Sequence, residues 1–149
     1  MRAFPVNFVK LTKLLLAWSL LLLGCTDESS IELSDFTSDG CSLFIDGTFE
    51  KPELWKECCL THDIAYWQGG TQEERLKADL AFKACVEKKT GDSTLAKLMY
   101  DAVRVGGEPY FPTWYRWGYG WPIGRGYKKL SKQDLVMVKQ KVSKYWGVQ

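Results

Sequence analysis

The sequence predicts a mainly α-helical domain in which two antiparallel helices carry the chemistry, with further helices and an aromatic Gly/Pro-rich loop. Three observations predict it. Helix start and stop signals punctuate the chain at Pro52, Gly69-Gly70, Thr71-Gln72-Glu73-Glu74, Gly91 and Gly106-Gly107. Apolar residues recur at helical spacing between those signals. Four cysteines beyond Cys25, in a chain that opens with an export signal, make two disulfides the natural expectation.

The elements follow in order. Arg2, Lys10 and Lys13 precede the apolar run Leu14 to Leu23, which Gly24-Cys25 closes. This reads as a secretory signal, since a ten-residue helix would extend only about 15 Å, half a bilayer core. Leu22-Leu23-Gly24-Cys25 looks like a bacterial lipobox, in which cleavage leaves Cys25 as an acylated N-terminus. The alternative is an ordinary signal with Cys25 as a spare thiol. Thr26 in place of Asp after the cysteine favours the outer membrane, by analogy with lipoprotein sorting. The expected organisation is a removed signal at 1–24, a tether at 25–38 and one domain at 39–149. The signal takes three of the 20 basic residues and none of the 18 acidic ones, leaving a nearly neutral chain with no overall signature of nucleic-acid binding. From Arg125 onward, however, seven Lys or Arg face Asp134 alone, a tail that could meet anionic lipid.

Pro52 suits the first turn of a helix running to about Gln68. The capping box at Thr71 opens a second, ending near Gly91, with Leu76, Leu80, Phe82 and Val86 as a broad apolar face that Asp79 interrupts. A carboxylate pointing into a core needs a partner. A third helix is expected from Ser93 to Val105, with Leu95, Leu98, Met99 and Ala102 on one side. Residues 107–127 then carry Tyr110, Phe111, Trp114, Tyr115, Trp117, Tyr119, Trp121 and Tyr127 among glycines and prolines, a composition that argues for a loop. Its rings either meet a bilayer headgroup region, with Arg116 and Arg125 adding attraction to phosphates, or pack over the helices. Ser131 opens a last helix with Leu135, Val138 and Val142 on one face.

The chemistry concentrates at Cys58-Cys59-Leu60-Thr61-His62-Asp63-Ile64-Ala65-Tyr66, which holds the chain's one histidine. On a helix Cys58, Cys59, His62 and Tyr66 share a side, while Asp63 lies about 100° around the axis. Acid–base work near neutral pH falls to His62. A buried, satisfied histidine beside a surface aspartate is the plainer alternative, and a zinc site using Cys58 and His62 with Cys41 or Cys85 is another.

The pattern Cys-Cys-x-x-His-Asp-x-x-Tyr resembles the active-site helix of the secreted phospholipase A2 superfamily. Asp39-Gly40-Cys41-Ser42 looks like the short calcium loop of its bacterial and fungal members, and Ala78-Asp79 through Cys85 resembles its second catalytic helix. The resemblance spans roughly residues 39–85. It implies disulfides Cys41–Cys59 and Cys58–Cys85, with His62 as general base, Asp79 as its supporting carboxylate and Tyr66 orienting Asp79. It further implies Ca²⁺ held by Asp39, Asp63 and the Gly40 carbonyl, and hydrolysis of an acyl ester of glycerophospholipids at a bilayer surface. The glycine-rich loop of the animal enzymes is absent, which leaves the oxyanion-hole donor unassigned. A catalytically silent lipoprotein binding membrane or a partner on the same scaffold is the alternative function.

Overall fold

The computed structural model describes residues 32–147. The expected signal, the expected Cys25 anchor and the first part of the expected tether lie outside them. Four helices are formed, α1 (Lys56–Gln68), α2 (Gln72–Thr90), α3 (Ser93–Gly106) and α4 (Lys132–Tyr145), with no strand among the described residues. None of these helices is long and apolar enough to cross a membrane.

Helix α1 begins four residues later than Pro52 predicts. Trp55 is buried, its backbone N–H donates to Asp46 O and its indole to Ile45 O. Those bonds hold residues 51–55 in turns until the ring is seated, and the helix starts after it. Helix α2 starts as predicted, with Thr71 Oγ1 accepting from Glu74 N and Glu74 Oε2 accepting from Thr71 N. It ends on Gly91 in the left-handed conformation. Four links between the two helices run in opposite order along them: Glu57 to Lys89, Cys58 to Cys85, His62 to Asp79 and Tyr66 to Arg75. The pair is therefore antiparallel. A second disulfide, Cys41–Cys59, ties the preceding loop to α1, so both expected pairings form.

The buried stripe of α2 differs from the expected one. Leu76 and Leu80 are exposed, while Arg75, Asp79, Phe82 and Val86 are buried. Their i, i+4, i+7, i+11 spacing is that of one helix face. Two of the four are charged, so hydrophobicity alone points to the wrong side. On α3, Ala96 and Met99 enter the core with Leu95 and Val103 packed beside them, and Leu98 and Ala102 stay outside.

Two cores result. The first joins Trp55, Cys58, Cys59, Phe82, Val86, Ala96 and Met99. The second joins Leu33, Phe36, Trp67, Trp121 and Val138. Because Leu33 and Phe36 are buried there, residues 32–38 belong to the folded body and are not free tether. Of the aromatic loop, Trp117 and Trp121 are core residues, whereas Tyr110, Phe111 and Trp114 are exposed. The loop also completes α1: Gly118 N donates to Tyr66 O, Gly120 N to Trp67 O and Trp121 Nε1 to Gln68 O. These are end-of-helix carbonyls that otherwise lack donors. Gly120 must be glycine, since a Cβ would stand 2.5 Å from Trp67 Nε1. Neither arginine of the loop is free for phosphate. Arg116 donates to the carbonyls of Gly118 and Trp121, and Arg125 stacks on Trp121 and pairs with Asp134.

Candidate active site

The antiparallel pairing brings His62 of α1 against Asp79 of α2, with Nε2 and Oδ1 2.8 Å apart and both side chains buried. Asp79 is fully buried, which by itself would raise its pKa, but hydrogen bonds from His62 and Arg104 outweigh burial and hold it below the usual carboxylate range. An ionised carboxylate only accepts, so Nε2 carries the hydrogen, and in the neutral ring Nδ1 is then the nitrogen with the lone pair. The imidazole is clasped between the rings of Tyr66 and Phe82, at centroid distances of 4.1 and 4.6 Å. Tyr66 OH meets Val103 O and accepts from Arg75 Nε. Burial first, then the neighbouring Asp79 charge, push its pKa above the ordinary tyrosine value, so it stays neutral.

His62 opens onto a mainly apolar groove of about 290 Å³, walled by Leu43, Phe44, Phe82, Leu98, Val103 and Tyr115. Leu98 and Ala102, which the sequence pattern places on one side with Leu95 and Met99, line this groove. At its mouth Leu43 is 75% exposed and holds a positive φ of 60°, a conformation that costs a non-glycine residue energy.

Asp63 and Gly40 border the same groove, and Asp63 also borders an adjoining cavity of about 460 Å³ that Asp39, Ser38 and Ser42 share. Ser38 Oγ links the set, donating to Asp63 Oδ2 at 2.6 Å and accepting from Gly40 N. Gly40 has φ +80° and packs on Asp46, whose Oδ1 would lie 2.5 Å from a Cβ at that position. Burial and, beyond it, the charges of Asp39 and Asp46 push the Asp63 carboxyl up to about 7 even though the Ser38 bond works the other way. Among the described residues no Lys or Arg pairs with Asp63. Asp39 and Asp46 lie close enough for their charges to act on Asp63, and hard carboxylate oxygens without a counter-ion are the donor type that a hard divalent cation such as Ca²⁺ takes, although Asp39 also accepts from Ser42 Oγ. Zinc fits less well. Cys41, Asp46 and Cys59 lie close together, yet all four cysteines are consumed in disulfides and offer no thiolate.

The structure thus brings together His62 and Asp79, with Asp39, Gly40 and Asp63 beside them; Tyr66, expected to orient Asp79, packs on the imidazole while its hydroxyl is committed to Val103 O and Arg75 Nε. The sequence did not reveal Ser38, Asp46, Arg75 or Arg104. Arg104 sits in the last turn of α3, where a basic residue reads as a partner of the helix dipole. Asp46-Gly47 reads as a turn. Comparison with protein-family profiles, curated sequences and solved structures yields no match.

Proposed function

We propose that this chain is a calcium-dependent, phospholipase A2-like ester hydrolase acting on glycerophospholipids at a membrane surface. The observation that carries the reading is the His62–Asp79 pair, with Nδ1 free of the carboxylate, opening on an apolar groove whose rim holds Asp63. An acyl chain would lie along Leu43, Phe44, Leu98 and Val103. His62 Nδ1 would take the proton of a water as it adds to the ester carbonyl carbon, and would return that proton to the leaving alcohol. Asp79, through Nε2–H, fixes the tautomer and supports the positive charge while the ring is protonated. Asp39, Asp63 and the Gly40 carbonyl would hold Ca²⁺, whose charge when bound would polarise the ester carbonyl and offset the oxyanion. The exposed side chains Leu43 and Phe44, which line the groove, supply an apolar surface for the bilayer. In this reading acylated Cys25 holds the enzyme at the outer membrane.

Fatty-acid release from phospholipid vesicles, measured with calcium and with chelator, tests this. Release that requires calcium and falls by about a hundred- to ten-thousandfold in His62→Gln is expected. No release from any vesicle, or equal release in chelator, would replace it with the silent membrane-binding alternative.

A further inference from the structure

Asp79 is gripped through both of its oxygens. His62 Nε2 takes Oδ1 at 2.8 Å, and Arg104 Nη1 takes Oδ2 at 2.5 Å. A carboxylate held by one oxygen can turn about its Cβ–Cγ bond, whereas one held by both has its plane fixed. Arg75 is the other cation nearby, with Nε 3.9 Å from Oδ2. Its donors are all committed elsewhere: Nε to Tyr66 OH, Nη1 to Glu108 and Tyr127, and Nη2 to the carbonyls of Val103 and Arg104. A guanidinium has five N–H bonds, and these five partners use them. Arg75 therefore clamps the end of α3 onto α2, and its bond to the Arg104 carbonyl sets the backbone from which the Arg104 side chain reaches Asp79.

We propose that Arg104 is a positioning residue for the His62–Asp79 pair: its guanidinium fixes the Asp79 carboxylate so that Oδ1 stays on Nε2 and Nδ1 stays available to the groove. Asp79 is the only acidic group Arg104 pairs with among the described residues, and it does so across the interface between α2 and α3. The same helix α3 supplies the groove wall at Leu98, Met99, Ala102 and Val103. One helix thus sets both where an acyl chain lies and how the base is held. Loss of the guanidinium would leave Oδ2 without its hydrogen-bond donor, with the committed Arg75 Nε still 3.9 Å away, and would weaken the carboxylate's hold on the ring.

The kinetic arm of the test rests on the hydrolytic reading, and the spectroscopic arm stands without it. His62 is the only histidine, so the ¹⁵N spectrum of labelled imidazole reports that ring alone. With the ring neutral, the wild type should show the Nε2–H tautomer, and Arg104→Ala should show a mixture of tautomers. The Arg104 side chain is 25% exposed, so added guanidinium ion at non-denaturing concentration should enter and restore the wild-type spectrum. In vesicle hydrolysis Arg104→Ala should lower kcat roughly ten- to a hundredfold, the range typical of outer hydrogen-bond partners, with KM nearly unchanged. In an Asp79→Asn background the same substitution should cost little more. Arg104→Lys, which keeps the charge, carries both arms should the alanine variant not fold. An unchanged tautomer with unchanged kcat, or a rise in KM alone, would overturn the proposal. A tautomer that responds in a protein releasing no fatty acid would uphold the positioning and remove the hydrolytic reading.

Discussion

The core around Cys58 and Val86 and the core around Trp67 and Trp121 are closed by different means. In the first, disulfides bind loop to α1 and α1 to α2, and the buried surface includes a histidine, two carboxylates and an arginine. In the second, two indoles do the joining, Trp67 donating to Ser34 O and Trp121 to Gln68 O, and the buried Arg116 beside them is matched by the carbonyls of Gly118 and Trp121. A core that buries charge gains less from burial per residue than an apolar one, because each buried polar group must be matched. Covalent links compensate there by restricting the unfolded chain. The aromatic core needs no such link, since large rings bury much apolar surface and each indole N–H finds a carbonyl.

The largest expected effect falls on the aromatic side. Trp67 is fully buried, and Trp67→Ala should cost about 3–5 kcal/mol in denaturant unfolding. A loss under about 1 kcal/mol would mean that this core is dispensable and the contrast is false.

The next effect tests the charged side through pH. The folded protein holds the Asp63 proton up to about 7, while the unfolded chain releases it near 3.8. Between those values the folded state binds more protons, so stability falls as pH rises through that window and the loss is complete above it. At about 1.4 kcal/mol per pKa unit, the total is on the order of a few kcal/mol in calcium-free protein. Asp63→Asn should flatten that dependence and be more stable than wild type at pH 8 in chelator. Parallel pH profiles for the two proteins would show that the carboxylates of this core are not strained.

Removing the inter-helix disulfide with Cys58→Ser and Cys85→Ser should cost about 2–4 kcal/mol. Because the bridge lies one helical turn from the His62–Asp79 pair on α1, hydrolysis should fall further than stability alone explains at temperatures where the variant is folded. Equal activity per folded molecule would separate the staple from the site.

The two cores also differed in how far the sequence disclosed them. Helix limits on α2, α3 and α4 were readable because Thr71, Gly91, Gly106 and Ser131 are local signals whose physics acts within one turn. His62, Asp63 and Asp79 were readable through the resemblance that the pattern around them carries, and Asp79 also because it interrupts an apolar helix face. The second core was not, since Leu33, Trp121 and Val138 come from distant parts of the chain and nothing local marks them as neighbours. The stripe on α2 was misread for a related reason: Arg75 and Asp79 are buried through partners on α3 and in the loop after it, which no periodicity on α2 reveals. Trp117 and Trp121 match Trp114 in composition, and only the carbonyls left at the end of α1 decide which rings turn inward.

That last distinction gives the smallest and most discriminating prediction. Trp114 lies in the same loop as Trp117 and Trp121 but is 63% exposed, and its indole makes a long 3.3 Å contact with Asp39 Oδ2. An exposed side chain outside a core or cap typically changes stability by no more than about 0.5 kcal/mol on substitution. Trp114→Ala should therefore unfold with the wild type. Its exposed ring, near the Asp39 end of the site, suits the headgroup region of a bilayer, so partition into anionic vesicles should weaken while hydrolysis of a soluble monomeric ester is retained. Trp121→Ala should do the reverse, losing stability first and membrane binding only as a consequence. If Trp114→Ala unfolds globally, the exposed and buried rings of the loop form one structural unit. If it folds and binds vesicles as before, the membrane-facing surface is confined to the Leu43–Phe44 side of the groove.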